Sequence, residues 1–178
     1  MANGSEEIET VTLVDVLRRG QCQVTLASIE ATPLIQASRQ VGLVADCLLS
    51  DCADQTFDLI LLPGGMPGAS RLGDSPLLHQ MLTQQLQAQR ALGAICAAPA
   101  VVLGRKGWLA GKQATCYPAF AQELQTQGAN YLAEPVVRDG LMFTSQGPAT
   151  AMAFAVELLR YLMGDATADD VAAGLLMG

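Results

Sequence analysis

The sequence predicts one α/β domain, residues 1–178, with a mostly parallel sheet flanked by helices. Three observations lead there. Short apolar runs alternate with longer helical segments, the order that strand–helix–strand units produce. Two of those runs, Phe57–Leu62 and Ala91–Ile95, read as strands buried in a sheet interior. The chain is 51% hydrophobic but only 4% aromatic, which suits strands packed through Val, Leu, Ile and Ala side chains.

The elements follow in order. Glu6–Arg19 reads as a helix that stops at Gly20. Val24–Ile29 reads as a strand. Leu34–Leu49 holds short alternating segments around a polar break at Ser38-Arg39. The Phe57–Leu62 strand ends at Pro63-Gly64-Gly65. Ser75 then caps a helix whose first position is Pro76 and which runs to about Gln89. Ala91–Ile95 leads into Cys96, and Ala97–Leu103 reads as a helix. A further strand is expected near Ala114–Tyr117. Asp139-Gly140 between two apolar runs signals a hairpin. Pro148 opens a helix to about Met163, and Ala168–Met177 reads as a last short one.

The formal net charge of −7 argues against steady binding to nucleic acid or to an anionic membrane. Small molecules or proteins are the expected partners. No apolar run is long enough to span a membrane. The acidic stretch Met1–Glu7 has no apolar signal core, so a cytoplasmic protein is expected. Five cysteines, an odd number without a CxxC pair, point away from a disulfide framework or a zinc site. The one histidine, His79, leaves a metal site short of its commonest ligand. No cofactor is expected.

Chemistry concentrates at three places. In Ala91-Leu92-Gly93-Ala94-Ile95-Cys96-Ala97-Ala98-Pro99 an apolar strand ends in a cysteine followed by small residues. That is the form of a nucleophile elbow, where unpaired helix N–H groups favour a thiolate and lower the thiol pKa. A buried packing cysteine is the other reading. Gly64 and Gly65 let the backbone approach a ligand, with N–H groups able to hold an oxyanion; an ordinary turn accounts for them as well. Glu6, Glu7 and Glu9 suit the first turn of a helix. Glu9, however, follows an apolar residue and is placed to turn inward, where burial raises a carboxyl pKa. His79 reads as an ordinary helix residue. Arg39 reads either as an anion or partner contact or as solvated, and Cys22, Cys47, Cys52 and Cys116 as packing residues.

Taken together, Asn3–Glu9, Ser38-Arg39, Leu62–Gly65, Ala94–Pro99 and Thr144–Pro148 resemble the ThiJ/PfpI superfamily. The nearest likeness is to the branch of the parkinsonism-associated deglycase and bacterial YajL. The resemblance implies a flavodoxin-like sandwich that forms a homodimer. It makes Cys96 the nucleophile, Glu9 a protonated partner, and the backbone of Gly64, Gly65 and Ala97 an oxyanion site. Arg39 and Tyr117 become candidate substrate or anion contacts; some relatives carry a histidine where Tyr117 stands. Members are credited with glyoxalase activity on methylglyoxal, with deglycation of carbonyl adducts on amines and thiols, and with oxidative-stress and chaperone roles. Reactive carbonyls or glycated proteins are thus the implied partners. A non-catalytic redox-sensing chaperone is the alternative. An intracellular cysteine peptidase is a weaker one, because its branches place a histidine directly after the cysteine and Ala97 stands there. Relatives also carry a strand before the Asn3 segment; that strand is expected to be missing here.

Overall fold

The computed structural model describes residues 1–177. Helix α1 covers Glu7–Arg19, with the Glu6 carboxylate accepting the N–H of Glu9 at 2.7 Å. Four short strands follow: β1 Ala27–Ser28, β2 Leu34–Gln36, β3 Gly42–Val44 and β4 Cys47–Leu48. Next come β5 Leu59–Leu62, α2 Gly68–Asp74, α3 Pro76–Gln87 and β6 Ala91–Ile95. The second half holds β7 Gln113–Ala114, α4 Ala121–Thr126, β8 Asn130–Tyr131, β9 Val136–Asp139, β10 Met142–Ser145, α5 Ala151–Met163 and α6 Asp165–Gly174.

The main sheet runs β5-β6-β10-β9. Its first three strands are parallel, and β9 returns antiparallel through the Asp139-Gly140 turn. Gly140 has φ of 61° there, the left-handed conformation a tight hairpin demands. β6 is buried at all five positions. Its side chains alternate between two cores, as a period of two requires. Ala91 and Ile95 join Leu13, Val16, Phe154 and Leu158 under α1 and α5. Leu92 and Ala94 join Leu72, Leu78, Leu82 and Leu103 on the other face. Helices thus cover both sides of a mostly parallel sheet, a flavodoxin-like sandwich.

Most differences from the sequence reading concern short elements. Only Ala27–Ser28 of the expected Val24–Ile29 strand pairs as strand, with β4. The Ser38-Arg39 break is the turn of the β2–β3 hairpin. Ala97–Leu103 is not an α-helix. Pro99–Leu103 forms a π-helical turn and Gly104–Lys106 a 3₁₀ turn. The strand expected near Ala114–Tyr117 is β7, shortened to Gln113–Ala114 and paired with β8. β8 and helices α2 and α4 add elements without a strong sequence signal; α2 contains two glycines, which disfavour helix locally. Ser75 caps α3 as expected, accepting the N–H of Leu78. No helix of the described residues is long and apolar enough to cross a membrane.

The α1–α5 layer is the structural support under Cys96. Phe154 is fully buried there and touches the face of β6 at Gly93. Replacing Phe154 with Ala is expected to lower unfolding free energy by about 3–5 kcal/mol, measured by urea denaturation.

Candidate functional site

Cys96 stands one residue past β6 with φ of 65°. A non-glycine side chain in this region costs on the order of 1–3 kcal/mol and persists only where its surroundings enforce it. Two hydrogen bonds do so: Cys96 N–H donates to Ser145 O at 2.9 Å, and Cys96 O accepts from Tyr117 N–H at 2.8 Å. The turn leaves the thiol at the sheet's carboxyl end, 9% exposed. The N–H groups of Gly65 and Ala97 are directed at the sulfur.

Glu9 arrives from the first turn of α1. Its side chain is fully buried among non-cationic neighbours, and Oε2 accepts the N–H of Gly64 at 2.8 Å. A second bond, Glu6 N–H to Gly64 O at 3.0 Å, ties the same loop to the helix start. Position 64 has no room for a side chain. A Cβ there would lie 2.5 Å from Cys96 Cβ and 2.9 Å from Glu9 Oε2. Gly65 has φ of 83°, and a Cβ on it would meet Glu6 N and Gly4 O. The two glycines therefore hold different posts. Gly64 orients the carboxyl, and Gly65 turns its N–H to the sulfur.

Burial raises the Glu9 carboxyl from its ordinary 4.5 to about 7, against the Gly64 N–H and the neighbouring Cys96, which pull it down. Oε1 is buried without a hydrogen-bond partner, and so is free to carry a proton. Burial and the Glu9 carboxylate push the Cys96 thiol up to about 12, outweighing the N–H groups of Gly65 and Ala97. This corrects the expectation of a depressed thiol pKa. The N–H groups are there, but a buried carboxylate beside the sulfur opposes a second negative charge. Of the two groups Glu9 therefore gives up its proton first, and Cys96 stays a thiol beside it.

Comparison with known proteins places the chain in a family. The model of the DJ-1/PfpI family matches residues 1–161.

The chain belongs to the DJ-1/PfpI family.

It is 42% identical over 177 residues to Protein DJ-1 homolog A of Arabidopsis thaliana, covering 99% of this chain and 45% of that protein. It spans less than half the length of both Arabidopsis relatives it matches. The glutathione-independent glyoxalase DJR-1.2 of Caenorhabditis elegans is 35% identical, with 90% of this chain and 84% of that protein covered. Among solved structures, oxidized Toxoplasma gondii DJ-1 superposes with a TM-score of 0.94 at 40% identity, over 98% of this chain and 94% of that one.

The other residues singled out in the sequence divide into near and far. Tyr117 is near, through its bond to Cys96 O; its ring packs by Gly147, which also faces Glu9 Oε1. Gly147 and Ser145 escape a residue-by-residue reading, because a strand end and a glycine carry no chemical signature of their own. Arg39 is held by its backbone: its N–H donates to Glu7 Oε1, and its guanidinium donates to Ser38 O at 3.3 Å. Among the described residues no hydrogen bond joins it to Cys96 or Glu9. His79 lies on α3, stacked on Trp108 at 5.2 Å. Cys52 and Cys116 are buried, and Cys22 and Cys47 partly so. No group of three His, Cys, Asp or Glu among the described residues is arranged to hold a metal ion.

The Glu9 environment makes stability depend on pH. Between pH 4.5 and 7 the folded protein keeps a proton on Glu9 that the unfolded chain has lost. Stability from this group is therefore fully present below about 4.5 and is lost as pH rises through about 7, by about 3 kcal/mol. Urea unfolding at intervals from pH 4 to 8 should show this decline, and Glu9→Gln should remove it.

Proposed function

We propose that the protein is a cofactor-independent glyoxalase and deglycase that uses Cys96 as nucleophile and Glu9 as acid and base. The observation that carries this reading is the pairing of a buried, near-neutral carboxyl with a thiol on a strained strand-end turn. A proton can pass between the two without leaving the site. The printed name of the C. elegans relative supports the same class of reaction.

The steps follow from the geometry. Glu9 takes the thiol proton as Cys96 Sγ bonds to the aldehyde carbon of methylglyoxal. The carbonyl electron pair moves to oxygen, where the N–H groups of Gly65 and Ala97 stabilise it. Protonation gives a hemithioacetal. Glu9 then removes the hydrogen from the former aldehyde carbon and returns a proton to the adjacent carbon, leaving a lactoyl thioester on Cys96. Water cleaves that ester to lactate and restores the thiol. The net reaction adds one water to methylglyoxal. An amine or thiol adduct of the same carbonyl would join at the hemithioacetal: Cys96 Sγ bonds to the adduct carbon as its bond to the amine or thiol breaks, and the thiol proton, taken up by Glu9, passes to the leaving group. Tyr117 is proposed to contact substrate from the side of Gly147.

The reading requires lactate from methylglyoxal without glutathione. Cys96→Ala should abolish it, and Glu9→Gln should lower kcat by about 10²–10⁴-fold. Full activity in either variant would remove that residue from the mechanism.

A homodimer is proposed on the outer surface of α1 and the neighbouring hairpin. Ile8 and Val11 are about half exposed, as are Leu34 and Val41 on β2 and its turn, and Val44 on β3 is more exposed still. Apolar side chains grouped in this way suit an interface of roughly 1,200–2,000 Å². Light scattering at micromolar concentration should give about twice the 18.6 kDa of one chain; a monomer mass would contradict it.

A further inference from the structure

Helix α1 starts on an uncommon cap. Ser, Thr, Asp and Asn close a helix start best, because their short side chains reach the free N–H groups of the first turn. Glu6 holds that place here, and its carboxylate accepts the N–H of Glu9 at 2.7 Å. Its backbone is fixed as well. The Glu6 N–H donates to Gly64 O at 3.0 Å, and the Glu6 carbonyl accepts the N–H of Thr10 at 3.0 Å and the Thr10 hydroxyl at 2.7 Å. Gly64 in turn donates its N–H to Glu9 Oε2 at 2.8 Å. Glu6, Gly64 and Glu9 thus close a ring of hydrogen bonds, and two of its corners are carboxyl groups.

A carboxylate beside a buried carboxyl opposes ionisation of its neighbour. A serine would make the same capping bond without that charge, so helix stability alone does not account for Glu6. Few other groups act on Glu9. Cys96 comes from the turn after β6, and the loop after β5 offers the uncharged Gly64 N–H. Gly147, after β10, lies by Oε1 with the Tyr117 ring beyond it. Glu7 on the same helix is turned away, accepting from Ser38 Oγ and the Arg39 N–H. Among the described residues, Glu6 is the one further carboxylate that favours a proton on Glu9. The groups that act on the Cys96 sulfur are Glu9 and the N–H groups of Gly65 and Ala97. Glu6 reaches the sulfur through Glu9.

We propose that Glu6 is a positioning residue of the site: its carboxylate holds the backbone of Glu9 and supplies the negative charge that keeps a proton on the Glu9 side chain. This rests on the proposed role of Glu9 as acid and base. A carboxylate that binds its proton more tightly is a stronger base toward the thiol. With one proton on the pair, two arrangements compete: thiol beside carboxylate, and thiolate beside carboxylic acid. The second is the nucleophilic one. The charge of Glu6 shifts weight toward it without touching the sulfur.

Alkylation of Cys96 by iodoacetamide tests this without a carbonyl substrate. It is followed on the tryptic peptide 91–105, which holds no other cysteine. The rate should rise with pH to a plateau, with its midpoint at about 7, where Glu9 loses its proton. Well below the midpoint the rate follows the sulfur alone; on the plateau it follows how the remaining proton divides between Glu9 and Cys96. Glu6→Gln keeps an oxygen for the Glu9 N–H and removes the charge. It should lower the midpoint by about half a pH unit and slow the plateau about threefold, with the rate at pH 5 unchanged. Glu6→Asp keeps both cap and charge and should match the parent protein. In a Glu9→Gln background, Glu6→Gln should have no effect. A Glu6→Gln profile identical to the parent would leave Glu6 a helix cap and overturn the proposal. Equal slowing at pH 5 and pH 8, the mark of a loosened site, would overturn it too, as would an effect that persists without Glu9. Lactate formation from methylglyoxal is read in parallel, where Glu6→Gln should lower kcat and leave KM in place. No lactate from the parent protein, with the alkylation shift present, would sink the carbonyl reaction and leave the hold of Glu6 on Glu9 standing.

Discussion

Glu9 reaches from the first turn of α1 to the N–H of Gly64, and the relative positions of three segments depend on that bond. It holds the helix start against the loop after β5, and that loop against Cys96. The bond needs two things at once: a carboxyl on the inward face of α1, and a residue without a side chain at position 64. A buried carboxyl with no cation beside it is unfavourable when ionised. Its proton therefore stays available up to near-neutral pH. The cost of burial in this way becomes the chemical property of the site.

Cys96 depends on a second constraint, the stiffness of what lies beneath it. A left-handed φ at a cysteine is unfavourable locally, so the fold around it must supply the difference. β6 is enclosed on both faces, and Cys96 just past it is bonded to Ser145 on β10 and to Tyr117 after β7. The bond to β10 extends the parallel ladder one residue past the strand. The sulfur is consequently placed by long-range contacts more than by the small residues that follow it.

The two groups also limit each other. Backbone N–H groups at the sulfur favour negative charge, and the carboxylate opposes it. With Glu9 ionised the sulfur holds its proton; with the proton on Glu9 that opposition disappears, and the N–H groups work against burial alone. One proton moving over a short distance thus switches the pair between a thiol with a base and a thiolate with an acid. The proposed addition to a carbonyl uses both states in turn.

Much of this was legible in the sequence, where local pattern and final environment agree. The apolar run Ala91–Ile95 closed by Cys96, the capped start of α3 at Ser75-Pro76, and the Asp139-Gly140 hairpin each carry their own signal. Glu9 could be suspected, since a carboxyl in the first turn of an amphipathic helix must face either inward or out. Other features carry no local signal. α2 is rich in glycine and forms because Gly68 packs on the backbone of Ser5, where a Cβ has no space. The turn after Cys96 is π-helical and not α-helical. The direction of the Cys96 pKa reverses because the sulfur is buried and because a residue 87 positions earlier in the chain lies beside it. The division of labour between Gly64 and Gly65 follows from which N–H faces the carboxyl and which the sulfur. Periodicity and turn chemistry act over a few residues, and so they determined the elements and the residue types at their ends. Desolvation and charge act through space, and only the tertiary structure decided which of those residues meet and in which protonation state.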